Sequence, residues 1–186
     1  QADVILIATK ALPSIDISDL IKPVVYPNTS IVVLQNGIDV EKTFVEEFPI
    51  NTIISGLAFV CVSKVGPGKI LHEDFGRLVL GDYPYGISEV TEQLSELFQK
   101  SNTPCFATQQ VMKARWKKLI WNASFNPLSV ILGGATTKQI LDDSLNRQQV
   151  VKIMEEICKI AKKEDVLLAP DIIDKNIEET DTTNKE

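Results

Sequence analysis

The sequence predicts an α/β half followed by an all-α half, and three observations carry that prediction. Up to Gln110, apolar β-branched runs alternate with amphipathic stretches, the rhythm of a parallel sheet covered by helices. Within that half, a Gly-Pro-Gly turn and an Asp-Phe-Gly segment mark a local change to hairpin chemistry. After Gln110 the strand pattern stops, and apolar residues recur only at helical spacing.

The elements follow in order. Val4 to Thr9 is an unbroken apolar run, suited to a strand buried on both faces of a parallel sheet. Such a strand needs neighbours on both sides, so the chain is expected to be a piece of something longer. Ile15 to Val25 is helical, with Ile17, Leu20 and Ile21 apolar; Ser30 to Leu34 is a strand, Val40 to Phe48 a helix, and Thr52 to Val62 a further strand. Two short strands are predicted next, Lys69 to His72 and Arg77 to Gly81, forming an antiparallel appendage. Glu89 to Lys100 is a helix with Val90, Leu94 and Leu97 on one face, and residues 104–108 are a strand. The second half opens with a long apolar helix, Val111 to Leu132, ended by Gly133-Gly134. A helical turn at Thr137 to Leu141, a helix at Leu145 to Glu164 and another from Pro170 to Glu179 follow. The polar end, "EETDTTNKE", reads as a frayed terminus or an interrupted loop.

Composition narrows the function. A net charge of −6 without a basic block argues against nucleic acid or anionic lipid as the main partner. No apolar run approaches the length of a membrane-spanning helix. The three cysteines, Cys61, Cys105 and Cys158, have neither zinc nor disulfide-framework spacing, which favours a reducing cytoplasm and predicts no metal site. Cys61, inside an apolar strand, reads as core, and Trp116 and Trp121 as packing residues. His72, the single histidine, has no triad or metal partners near it in sequence.

Within "KKLIWNASFNPLS", Lys118, Asn122 and Asn126 stand four residues apart. Each step turns about 40° round a helix, so the three form one stripe. Trp116, Leu119, Ile120 and Ala123 surround it with apolar bulk. An ammonium in such company loses solvation and favours an anion or a developing negative charge. Two carboxamides beside it suit the carboxylate or hydroxyl of a small oxyacid. Pro127 removes a helical donor and predicts a kink. A solvated face, or hydrogen bonding between domains, accounts for the same spacing.

A second set sits at strand exits. Asn36-Gly37 directly follows the "SIVVL" strand and Lys10 ends the first strand. Ligands of open α/β sheets bind beyond the carboxyl ends of strands, although Asn-Gly is also an ordinary turn dipeptide.

Four segments, "DVILIATKA", "VVLQNGI", "GPGKILHEDFGRLVLGD" and "KARWKKLIWNASFNPLSVILG", run in an order that resembles the ketopantoate reductase (2-dehydropantoate 2-reductase) family. The resemblance covers nearly the whole chain. It implies that residues 1–109 are the remainder of an NADP-binding Rossmann-like domain and 110–186 a truncated helical substrate and dimerisation domain, with the active site in the cleft between. It implies hydride transfer from NADPH to ketopantoate, giving pantoate for pantothenate and coenzyme A synthesis. Carried over, Lys118 is the catalytic lysine that hydrogen-bonds the ketone oxygen and supplies its proton. Asn122 and Asn126 hold the substrate, Asn36 lies between nicotinamide and substrate, and Lys10 is near the cofactor's ribose and phosphate. The chain departs from the family pattern at both ends: it holds no G-x-G-x-x-G turn and no segment like the family's "SSMLQD" region. The expectation is therefore weak NADPH binding and no turnover by these residues alone. Two other readings stay open: a reductase of another 2-keto acid, and a non-catalytic oligomerisation or binding module, for which the long helices offer a homodimer surface.

Overall fold

The computed structural model describes residues 2–12 and 14–183. It forms two compact units, one ending at Met112 and the other starting at Lys113.

The first unit is a five-stranded sheet in the order β1-β2-β3-β4-β5. β1 (Val4–Ile7), β2 (Ser30–Val33) and β3 (Ile53–Gly66) are parallel neighbours, β4 (Lys69–Asp82) is antiparallel to β3, and β5 (Cys105–Ala107) is parallel to β4. Helix α1 (Ile17–Ile21), extended by a 3-10 turn at Lys22–Val24, joins β1 to β2, and α2 (Lys42–Glu47) joins β2 to β3. Helix α3 (Glu89–Lys100) joins β4 to β5. Successive strand residues face opposite sides, and this divides the core in two. Ile31, Val33 and Ile53 pack with Ile7, Ile21, Phe44 and Phe48 on one side. Val32 and Ile54 pack with Leu78, Leu80, Leu94 and Cys105 on the other.

β1 departs from its expected double burial. It pairs only with β2 among the described strands, and Leu6 is 50% exposed. Apolarity of a run does not specify that both faces are covered: Ile5 and Ile7 join the first cluster, while Leu6 lies outside the second. The hairpin departs further. The two strands predicted as an appendage are one strand, β4, whose end nearer Asp82 lies inside the sheet between β3 and β5. Bulges accommodate the join: Phe59 pairs with Arg77 but Val60 with Phe75, so Gly76 is the extra residue, and Phe75 and Gly76 both have positive φ, 64° and 128°. The far end of the hairpin extends past the sheet. Cys61 is consequently exposed rather than core, its thiol pushed up in pKa by slight local desolvation and by the charge of Glu73.

The second unit is helical: α4 (Val111–Ile131), α5 (Thr137–Asp142), α6 (Ser144–Lys163) and α7 (Ile172–Thr183). Thr136 and Gln139 form a capping box at the start of α5, and Asp143 caps α6 through the amides of Leu145 and Asn146. Val150, Met154, Ile157 and Ala161 make the buried stripe of α6. The polar stretch read as a frayed end is helical through Thr183, with residues 184–186 outside the described residues. Two polar contacts hold it: Trp121 donates its indole N–H to Thr180 at 3.0 Å, and Arg147 pairs with Asp181 at 2.8 Å.

Gly81 is required by space rather than by φ. A Cβ there would run into the Thr108 carbonyl oxygen and lie 2.8 Å from Val111 Cβ. Gly81→Ala is expected to destabilise the protein by about 2–3 kcal/mol through overpacking, read as a lower urea midpoint. An unchanged midpoint would contradict this close approach of β4 to the segment after β5.

Candidate active site

The site residues singled out by sequence fall in two groups, one in each unit. In the first unit, β1 and β2 are parallel neighbours, so their carboxyl ends lie at the same edge of the sheet. Lys10 follows β1 and is exposed; Asn36 follows β2 and is exposed. Between them Gln35, 7% exposed, donates its side-chain N–H to the Thr9 hydroxyl at 3.2 Å, tying the two strand exits together. Gly37 has φ of 122°, a left-handed conformation that a side chain would strain, and a Cβ would meet Val40 Cγ1 at 3.0 Å. An exposed lysine, an exposed carboxamide and a glycine thus lie beyond the carboxyl ends of adjacent parallel strands, the edge where ligands of open α/β sheets bind. Among the described residues, no group of three or more His, Cys, Asp or Glu side chains could hold a metal ion.

In the second unit, helix α4 places Lys118, Asn122 and Asn126 on one stripe. Lys118 and Asn122 are partly buried, whereas Asn126 is exposed. Burial pushes the Lys118 ammonium down to a pKa of about 8, with the charge of Arg115 acting in the same direction. Lys118 is therefore a cation held at a cost. Trp121 stacks against Phe125 with ring centroids 5.1 Å apart, and the buried Ser124 hydroxyl donates to the Ile120 carbonyl at 2.8 Å. Helix α4 runs through the exposed Pro127 and on to Ile131.

Two residues beside these groups escaped the spacing argument. Arg115, 4% exposed, stands three positions before Lys118 on the same side of α4; its signal was the i, i+3 step between two cations. Glu41, fully buried, follows the Asn36-Gly37 turn and accepts a hydrogen bond from Ser55 at 2.5 Å. Sequence alone gave no reason to bury it. His72 is exposed, its Nε2 3.0 Å from the Asp74 carbonyl oxygen. Trp116 is buried, consistent with packing.

Comparison with known proteins places this sheet-then-helices chain in a family. Residues 1–85 match the family described as "Ketopantoate reductase PanE/ApbA", and residues 110–186 match "Ketopantoate reductase PanE/ApbA C terminal". The chain belongs to the ketopantoate reductase family. It is 36% identical to a 2-dehydropantoate 2-reductase of a Nostoc species over 167 residues, 87% of this chain and 52% of that protein. The crystal structure of 2-dehydropantoate 2-reductase from Methylococcus capsulatus superposes with a TM-score of 0.89 at 42% identity, over 96% of this chain and 57% of that one. The enzyme of the same name from Geobacter metallireducens has a TM-score of 0.89 at 30% identity, over 99% of this chain and 62% of its own. The chain thus spans about half the length of the curated relatives it matches. Among the described residues, no helix is long and apolar enough to cross a membrane.

The Lys118 shift has a consequence for stability. Its folded pKa of about 8 lies below the ordinary 10.5, so between those values the unfolded chain binds more protons. Stability from this group therefore rises with pH across that window, and the penalty is full below it. Lys118→Met is expected to raise stability at pH 7 by about 1 kcal/mol, with the gain shrinking towards pH 10. Urea unfolding at both pH values checks this; a variant less stable than wild type at pH 7 would contradict it.

Proposed function

We propose that the protein is an NADP-dependent reductase that converts the 2-keto group of 2-dehydropantoate to the alcohol of pantoate, on the route to pantothenate and coenzyme A. The observation that carries the reading is the α4 stripe: a partly buried lysine with a weakened hold on its proton, followed at helical spacing by two asparagines. A bound reduced nicotinamide supplies the hydride. The chain's own residues do the rest. Lys118 donates a hydrogen bond from Nζ to the ketone oxygen, stabilises the charge that gathers there and passes a proton to it, so that C=O becomes CH–OH. A pKa of about 8 suits that task, since an acid near the working pH transfers its proton readily. Asn122 and Asn126 bind the carboxylate and hydroxyl of the keto acid through their carboxamides. Asn36 orients nicotinamide against substrate, and Lys10 binds the ribose-phosphate portion.

The reading assigns residues 1–109 to cofactor binding and 110–186 to substrate binding and dimerisation. It places the protein in a reducing cytoplasm, in keeping with the free thiols Cys61, Cys105 and Cys158. The α4 residues address the keto acid head rather than its alkyl group. A panel of 2-keto acids therefore tests the substrate, and preference for another member would transfer the assignment to that acid.

In the full-length protein, Lys118→Ala is expected to lower ketopantoate-dependent NADPH oxidation by about 100-fold or more, with the fold intact by circular dichroism. The wild-type kcat/KM should fall above pH of about 8, where Lys118 loses its proton. Turnover that survives Lys118→Ala while assembly fails would favour a binding module instead. The 186 residues alone, without a glycine-rich turn, are expected to show no ketopantoate-dependent NADPH oxidation; measurable oxidation would contradict that part of the reading.

A further inference from the structure

We propose that Glu41 is a positioning residue for the cofactor side of the site, bracing the 36–40 loop so that Asn36 is presented in one conformation. The inference rests on the reductase reading and deepens it. The loop between β2 and α2 is irregular. Gly37 has φ of 122° and Asp39 φ of 62°, so two left-handed residues fall within three positions. Glycine adopts such geometry freely and aspartate is among the few other residues that visit it, so the loop's shape is set by the contacts around it rather than by a regular element.

Side-chain contacts from both ends hold the segment. Gln35 donates to Thr9 at 3.2 Å. Asp39 accepts from Lys42 at 2.7 Å and from the Tyr83 hydroxyl at 3.4 Å. Glu41 accepts from Ser55 at 2.5 Å. The Asp39–Lys42 pair is exposed and contributes little. The Glu41 contact differs in kind. Glu41 is the one buried carboxylate among the described residues, and Ser55 is equally buried. Ser55 sits mid-sheet, paired with Val33 of β2 and Gly81 of β4. The carboxylate thus fastens the far end of the loop to the buried middle of the sheet, while Asn36 at the near end remains exposed. A residue serving packing alone would be apolar here, because an apolar side chain of similar volume avoids the desolvation cost of a carboxylate.

Hydrogen exchange on the 186-residue chain and NADPH titration of the full-length protein test this together. In Glu41→Leu, and in Ser55→Ala, amides of residues 36–40 should exchange about tenfold faster or more while those of β2 keep their protection. Glu41→Gln, which retains an acceptor for Ser55, should stay close to wild type. In the full-length protein, Glu41→Leu should weaken NADPH binding by about tenfold, followed by nicotinamide fluorescence, and Glu41→Gln should restore most of it. Unchanged exchange in Glu41→Leu, or faster exchange spread evenly over the whole sheet, would overturn the brace. So would a loosened loop with undiminished NADPH affinity. Failure of the wild-type full-length protein to bind NADPH would instead sink the reductase reading, and the cofactor role of Glu41 with it.

Discussion

The Lys118 ammonium is kept short of water. Lys118 is partly buried on α4, and burial together with the Arg115 charge makes its protonated form costly. In a merely structural helix that cost would be removed by any neutral side chain of similar length. A poorly solvated cation gains most from an anion, which is the physical basis of the proton-donor role proposed for Lys118. The rest of α4 serves that arrangement: the Trp121–Phe125 stack and the tie from Trp121 to Thr180 in α7 hold the helix that displays the stripe.

In the sheet unit, two parallel strand exits carry polar groups and are tied down, although loops are the most mobile parts of a fold. The Gln35–Thr9 bond links the exits laterally, and the Glu41–Ser55 bond pulls the second loop down onto the sheet. Glycine at 37 permits the turn that these bonds require.

Much of this was legible in the sequence, for local reasons. Strand and helix periodicities placed nearly every element, and the Lys118–Asn122–Asn126 step identified a helix stripe because helical geometry is regular. What failed was decided by neighbours distant in sequence. The apolar β1 run gives no sign that Leu6 lies outside the core cluster on its side of the sheet. Cys61 reads as interior until β3 is seen to outrun the sheet. Asp74-Phe75-Gly76 reads as a strand boundary, whereas a bulge carries β4 through it. The "EETDTT" stretch has no apolar face, yet Thr180 and Asp181 are held by side chains from α4 and α6. Burial of Glu41 and Arg115 was equally hidden, since charged residues in sequence are read as solvated by default.

Direct titration of the Lys118 ammonium by nitrogen-15 NMR in the 186-residue chain, assigned by its loss in Lys118→Met, tests the central claim most directly. The expected midpoint is about 8, well below the ordinary 10.5. A midpoint at the ordinary lysine value would mean that the ammonium is fully solvated, and the physical case for Lys118 as the proton donor would be lost.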